Sequence, residues 1–582
     1  MNILNKIDSP QDVKKLSLEE MNQLAQDIRY GILNRVNKLG GHLGPDLGIV
    51  EATIALHYVF NSPVDKIIYD VSHQMYPHKM ITGRKHGFID DNRLFEINGY
   101  SNPLESEHDN FIIGHTSTSI SLACGVAKAR DLKQENYNVI ALIGDGSLSG
   151  GEAYEGLNNA SCLNSNMIII VNDNEMSIAK NQGGLYKNLE ELRKSCGKSQ
   201  DNFFRTLGFE YMYVDNGNDI NALIETFRSV KDSNKPVVVH IHTLKGKGYE
   251  KAVENKEKYH WVLSGFMNQN ASMNHTETYE SITTDFILSK KEKGESVVAI
   301  TPATPGATGF YQEFRDKLGQ NYTDVGIAEE HAIAYASALA KNGAKPILAV
   351  MSSFIQRTYD QLSQDLALNN SPAVILVFWG AISPADCTHL GIFDMSMISN
   401  IPNIVYLCPT HKEEYLSMLE WAYNQNEHPV IIRVPYIPLE STGIQDNTDY
   451  SLINKFKLTE EGKKIAILGV GNFYNFAKEL KKYIKNEINI NSTLINPCYI
   501  SGLDNELLDK LKQDHDIVIT LEDGILSGGF GEKIARFYGS SDMKVLNYGA
   551  DKEFSDRESL VKLYEKYRLK NELILEDIKK IL

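Results

Sequence analysis

The sequence predicts an α/β protein of three domains. Apolar runs of buried-strand type alternate with amphipathic stretches along nearly the whole chain, two polar connections interrupt that alternation, and 582 residues exceed what one hydrophobic core supports. Ser17-Leu18-Glu19-Glu20 has capping-box form and starts a long helix that Gly40-Gly41 ends. Alternating strands and helices then continue to about His242. Asn268 to Thr284 is polar and weakly periodic, so the first domain is taken as residues 1–267 and residues 268–292 as a linker. A second series, 293–440, runs from Val297-Val298-Ala299-Ile300 through Ile347 to Val350 and Ala373 to Phe378 to Val430 to Val434. After the polar stretch Leu439 to Asp449, a third series occupies 450–582, with strands at Lys464 to Leu468 and Ile517 to Leu521. Gly469-Val470-Gly471 follows a strand but lacks the third glycine of a dinucleotide fingerprint and reads as a tight turn.

Composition narrows the function classes. A hydrophobic fraction of 42% and a charged fraction of 23% are ordinary for a globular protein. The formal net charge of -16 argues against nucleic acid or an anionic membrane as partner and leaves small molecules. No apolar run is long enough to span a membrane, and the N-terminal residues lack a signal-peptide core, so a cytoplasmic location is expected. Cys124, Cys162, Cys196, Cys387, Cys408 and Cys498 show no CxxC spacing, and read as packing residues or reduced thiols.

The chemistry-bearing pattern begins at Gly144-Asp145-Gly146. The apolar runs Val139 to Ile143 and Met167 to Val171 read as adjacent parallel strands, joined by a crossover helix from Gly150 to Leu163. Asp145 and Asn174 therefore leave one sheet at its carboxyl edge, where open α/β sheets bind ligands. One carboxylate and one amide oxygen suit Mg²⁺, which completes its octahedron with water and phosphate oxygens. Gly146 and Ser147 are expected to open the crossover helix and offer N–H groups to an anion. The alternative is a plain strand-to-helix turn. His42, His73, His115 and His260 sit in loop-like settings, where each alone reads as structural but four together suit proton movement near neutral pH. Glu329, just before the helical run Ala332 to Lys341, is either a helix-start carboxylate or a buried acid held protonated to donate to a ligand nitrogen.

These motifs have a family counterpart. GHLGPDLGIVEATIALHYVFNSPVDKIIYDVSHQMYPHK, GHTSTSIS, NDNEMSI, KGKGYE, GIAEEHA, SSFIQRTYDQ and, more weakly, LEDGILSGGFGE resemble the 1-deoxy-D-xylulose-5-phosphate synthase family of transketolase-like enzymes, over nearly the whole chain. The resemblance implies three doubly wound domains of transketolase type: diphosphate-binding, pyrimidine-binding and C-terminal. It implies thiamine diphosphate and Mg²⁺ as cofactors, with Asp145, Asn174 and the Met176 carbonyl as metal ligands. His73, Gly114, His115, Thr116, Gly146, Ser147, Asn174 and Tyr249 match positions around the cofactor. Glu329 matches the glutamate bonded to the aminopyrimidine, and Phe354 the residue stacked on it. His42, His260 and His389 match histidines that move protons on substrate oxygens, Asp386 an acid near the acceptor, and Arg357 and Arg433 phosphate-facing arginines.

The implied enzyme is a transferase of aldehyde or ketone groups, joining pyruvate to glyceraldehyde 3-phosphate with loss of CO₂, as a homodimer serving isoprenoid or thiamine biosynthesis. The pattern departs in the acceptor half. Met351 replaces a tyrosine, Phe378-Trp379-Gly380-Ala381 replaces DRAG, Arg433-Val434-Pro435-Tyr436-Ile437 replaces RYPRG, Asp386 to His389 is one residue short, and Gln182 to Phe209 is shorter than the family's lid-bearing insertion. A carboligase with another aldehyde acceptor or ketol donor is therefore the second reading, and a cofactor-binding paralogue without turnover the third.

Overall fold

The computed structural model describes residues 3–268 and 276–582. They fall into two compact units, Met1–Met273 with Gly326–Ala328, and Asn274–Val325 with Glu329–Leu582.

In the first unit, strands β1 (Lys66–Tyr69), β2 (Val139–Gly144), β3 (Met167–Asp173), β4 (Glu210–Val214) and β5 (Pro236–His242) form one sheet in the order β1-β2-β3-β5-β4. Every pairing is parallel. Alternate residues enter two different cores, Ile140, Leu142, Ile168 and Ile170 one, Ala141, Ile143, Ile169 and Val171 the other, so the sheet is covered on both faces. Helix α1 (Leu18–Leu39) starts at the expected capping box, Ser17 Oγ accepting from Glu20 N–H and the Glu20 carboxylate from Ser17 N–H. Gly40, at φ +77°, ends it in a conformation that suits glycine. Helices α2 (Ser119–Lys133), α3 (Gly151–Ala160) and α4 (Gly184–Lys194) follow.

The crossover differs from its expected form. Gly146–Ser149 is a four-residue 3₁₀ turn, and α3 begins only at Gly151. Gly150 is extended and packs so tightly on Ser117 that a Cβ there would collide with it, which breaks the helix between the two segments. Gly146 and Ser147 therefore present a tight turn rather than the first turn of a long helix.

In the second unit, β6 (Val297–Thr301), β7 (Tyr322–Asp324), β8 (Lys345–Met351), β9 (Val374–Phe378), β10 (Val405–Leu407) and β11 (Val430–Arg433) form a parallel sheet ordered β10-β11-β9-β8-β6-β7. A further sheet, β12 (Lys457–Glu460), β13 (Lys464–Gly469), β14 (Thr493–Asn496), β15 (His515–Ile525) and β16 (Lys544–Ala550), is ordered β12-β14-β13-β15-β16, with β12 antiparallel at its edge. The expected second and third domains thus form one compact unit. A single apolar cluster runs from Ile300, Leu348 and Ile375 to Ala466, Leu468 and Val518, so the two sheets share core.

The expected linker also needs correction. Residues 269–275 lie outside the described residues, but Tyr279–Glu292 is a helix, α5, capped by Thr278. Its buried residues Tyr279, Ile282, Thr283, Phe286, Ile287 and Lys290 recur at helical spacing. Ser281, Thr283, Thr284 and Ser289 mask that stripe in a composition-based reading. Helix α6 (Glu329–Lys341) starts three residues earlier than the run Ala332 to Lys341.

Candidate active site

The two strand ends that carry the metal pattern are neighbours, with Gly144 opposite Asn172 in the β2–β3 register. Asp145 is buried, and its carboxyl is pushed well above the usual carboxylate range by burial and then by the charge of Asp173. Its Oδ2 accepts from Asn181 Nδ2 at 2.7 Å. Asn174 is 5% exposed and its Oδ1 is a buried oxygen with no hydrogen-bond partner. An orphaned amide oxygen beside a buried carboxylate is costly unless a ligand completes it. This donor set suits a hard divalent cation. Met176 forms an isolated bridge with Lys180 just beyond Asn174.

Asp173 behaves oppositely to Asp145. Burial works against its ionisation, but His240 at 2.9 Å and Arg193 at 2.5 Å hold it down to about 2. Tyr211 hydroxyl and His240 Nδ1 lie 2.8 Å apart and extend that chain.

Left-handed non-glycine residues gather at this edge: Val71 and Ser72 after β1, Ser117 before α2 and Glu175 after β3. Such backbone is unfavourable, above all for a β-branched valine, and persists where its surroundings fix it. Ser117 is fixed by its N–H to Asp70 Oδ1 at 2.9 Å and its hydroxyl to the Ser147 carbonyl at 2.8 Å. That ties the segment carrying Gly114, His115 and Thr116 to the turn carrying Gly146 and Ser147.

His42, His73 and His260 meet. Gly41–His42 pairs antiparallel with Trp261–Val262, which brings His42 to 5.5 Å from His260, ring centre to ring centre. His73 lies 5.2 Å from His42 and 5.6 Å from His260. Burial, then Lys245, lowers His73 to about 3, and burial followed by Lys245, His42 and His73 drives His260 well down. Both imidazoles are neutral bases at physiological pH, and His73 Nδ1 is a buried nitrogen with no partner.

Pattern reading missed Lys245. It is 1% exposed, donates to the Ser177 carbonyl at 2.6 Å and lies 3.0 Å from His260 Nδ1. Burial lowers it to about 7, with Asp145 opposing. Gly44 and Gly48 pack directly on it, a contact between segments about 200 residues apart that the local spacing of KGKGYE does not reveal. Tyr249, from the same segment, packs edge-on against Tyr259 and Phe266.

The second unit holds the other group. Glu329 opens α6, is 3% exposed, and is raised by burial against the opposing Arg357, whose Nη1 stands 3.5 Å away. A buried acid of this kind can stay protonated and donate to a ligand nitrogen. Phe354 meets the His389 ring edge-on at 5.7 Å. His389 Nδ1 is 2.8 Å from Thr388 Oγ1, and burial lowers the imidazole to about 4. Asp386 accepts from Thr388 N–H at 2.9 Å, while its Oδ2 is buried without a partner.

Arg433 contradicts its expected role. It is 2% exposed and fixed between Asp394 at 2.7 Å and Asp523 at 2.5 Å, so its guanidinium is not available to a substrate phosphate. Its alignment with a glycine completes the burial, because a Cβ at Gly380 would collide with the guanidinium. The residues that do reach the surface at the ends of β9 and β11 are aromatic. Trp379, left-handed at φ +62°, is 41% exposed and Tyr436 47%, their rings 5.8 Å apart.

The family model described as 1-deoxy-D-xylulose-5-phosphate synthase matches residues 4–200 and 194–243, that of the transketolase pyrimidine binding domain 278–439, and that of the transketolase C-terminal domain 454–567. A 1-deoxy-D-xylulose-5-phosphate synthase of Clostridium beijerinckii is 37% identical over all of both chains. One of Dictyoglomus thermophilum is 37% identical over 100% of this chain and 99% of its own, and one of Clostridium tetani 36% identical over all of both.

Proposed function

The chain belongs to the 1-deoxy-D-xylulose-5-phosphate synthase family, and we propose that it joins pyruvate to glyceraldehyde 3-phosphate, releasing CO₂ and giving 1-deoxy-D-xylulose 5-phosphate. The observation that carries this reading is the orphaned Asn174 Oδ1 beside the buried Asp145, a site built for a cation that arrives with a diphosphate. Asp145, Asn174 and the Met176 carbonyl would hold Mg²⁺. The Gly146-Ser147 turn, His73, Gly114, His115, Thr116 and Tyr249 would hold the diphosphate end of thiamine diphosphate, and Glu329 and Phe354 its pyrimidine. When bound, the cofactor supplies the electron sink that lets CO₂ leave.

The chain's own residues account for the rest. Glu329, whose carboxyl is raised by burial against Arg357, would bond to a ring nitrogen of the pyrimidine. His42 and His260 receive or return protons on substrate oxygens, and the neutral state of His260 makes it a base without prior deprotonation. Lys245 against His260 Nδ1 ties the tautomer of His260 to its own charge: an ammonium donating to Nδ1 puts the ring proton on Nε2, and a neutral amine accepting from Nδ1 leaves Nε2 the base. His389 and Asp386 serve the acceptor, and Arg357 is the remaining candidate for its phosphate.

Family membership also supports a homodimer, a cytoplasmic location and a product used in isoprenoid or thiamine biosynthesis. No described helix is long and apolar enough to cross a membrane. A second reading, another aldehyde acceptor, is favoured by the buried ion pairs of Arg433 and by the exposed Trp379–Tyr436 pair. Pyruvate-dependent CO₂ release with and without glyceraldehyde 3-phosphate tests both. Stimulation by glyceraldehyde 3-phosphate supports the first; stimulation by a different aldehyde alone sinks it in favour of the second; no release with any aldehyde would leave a cofactor-binding paralogue.

A further inference from the structure

The segment that follows Asn174 does not simply leave the site. It turns at Glu175, at φ +69°, forms the Met176–Lys180 bridge, and returns to the neighbouring strand end at Asp145. There Asn181 Nδ2 donates to Asp145 Oδ2 at 2.7 Å. This orientation of the amide is the one chemistry requires, since the reverse would set its oxygen against a carboxylate. It leaves Asn181 Oδ1 buried and without a partner, a second orphaned amide oxygen in the segment that follows β3.

Five residues on, within α4, the half-buried Tyr186 directs its hydroxyl at the carbonyls of Asp145, 3.1 Å, and Gly146, 3.2 Å. A phenol has one proton, so the two carbonyls share it and the whole Asp145-Gly146 peptide is tethered to one point. The tether is itself anchored. Leu189 and Leu192 of α4 are fully buried in the core of the first sheet, and Arg193 binds Asp173. The two matches of the family model, 4–200 and 194–243, overlap at 194–200, at the end of this anchored segment.

We propose that Asn181 and Tyr186 are positioning residues of the cation–diphosphate site: Asn181 holds one oxygen of Asp145 so that the other faces the cation, and Tyr186 fixes the turn that receives the diphosphate. The proposal rests on the cofactor reading above. Outer partners of this kind typically tune metal affinity about 10- to 100-fold.

The test uses Mn²⁺ in place of Mg²⁺, with free Mn²⁺ followed by electron paramagnetic resonance in the presence of thiamine diphosphate, for the full chain and for Asn181→Ala and Tyr186→Phe. Each variant is expected to raise the Mn²⁺ dissociation constant about tenfold, while the melting temperature without cofactor stays close to that of the parent. Tyr186→Phe keeps the ring and its packing, and stands as the deciding variant if Asn181→Ala does not fold. Parent-like Mn²⁺ affinity in Tyr186→Phe would overturn the positioning role and leave the cofactor reading intact. Absence of saturable Mn²⁺ binding by the parent chain would instead overturn the cofactor reading, and this inference with it.

Discussion

Asp145 and Arg433, each a buried ionisable side chain at a strand end, are met in opposite ways by their surroundings. At the carboxyl edge of the first sheet, Asn174 Oδ1, Asn181 Oδ1 and His73 Nδ1 are buried without partners, and the Asp145 carboxyl is raised by burial and then by the charge of Asp173. At the corresponding edge of the second unit, Arg433 is saturated by Asp394 and Asp523, and Arg357 faces Glu329. An unsatisfied buried group costs free energy unless water or a ligand completes it, and at Asn174 it lies at a strand end next to the one that carries Asp145. A saturated one marks where architecture has taken the charge. A diphosphate and its cation belong to the first kind of edge; an arginine at a strand end is not by itself a phosphate site.

The largest expected effect lies with Glu329, a buried acid of the second unit whose carboxyl is raised by burial against the opposing Arg357. Glu329→Ala should lower the rate of pyruvate decarboxylation roughly a hundred- to ten-thousandfold, the range for losing a positioned acid or base, with Mg²⁺–thiamine diphosphate affinity little changed. Stopped assays of CO₂ release and a separate binding titration check the two halves of that statement. Near-normal turnover would remove Glu329 from the chemistry.

Arg433→Met sharpens the contrast directly. If the arginine is architectural, the substitution leaves Asp394 and Asp523 buried and unpaired, and should destabilise the second unit by about 3–5 kcal/mol, the usual cost of breaking a buried ion pair from one side. The midpoint of guanidinium unfolding reports it. A variant of unchanged stability whose Michaelis constant for glyceraldehyde 3-phosphate rises would show that the guanidinium reaches substrate after all.

Legibility in the sequence followed the same line. The strands around Asp145 and Asn174 were readable because continuous apolar runs ending in Gly-Asp-Gly and Asn-Asp-Asn carry both their type and their polarity. The capping box at Ser17 was equally plain. Helix α5 was not, because four hydroxyl residues dilute its apolar stripe, and the break at Gly150 was not, because it depends on Ser117 packing from another segment. The fate of Arg433 was unreadable for the same reason. Its partners lie 39 residues before it and 90 after it, and nothing local distinguishes a saturated arginine from a free one. Lys245, Asn181 and Tyr186 likewise acquire meaning only from groups brought to them by the fold.

The smallest effect is one of pH. His389, packed against Phe354, has its imidazole lowered by burial from 6.5 to about 4. Above pH 6.5 the ring is neutral in both folded and unfolded chains, and its contribution to stability is complete. As pH falls from 6.5 toward 4, the unfolded chain takes up the proton while the folded chain resists it, so stability is lost through that window and levels off below it. At pH 5 the loss from this group is on the order of 2 kcal/mol. Other buried histidines, among them His73 and His78, shift in the same direction, so the parent chain weakens by more than this on acidification. His389→Gln should isolate the single contribution, since glutamine has nothing to protonate. The stability difference between pH 7.5 and pH 5, read from denaturant midpoints, should be smaller in the variant by about that amount. An identical pH dependence in parent and variant would mean that water or a charged neighbour reaches His389 in the folded state, and that the second unit does not keep this imidazole neutral for use as a base.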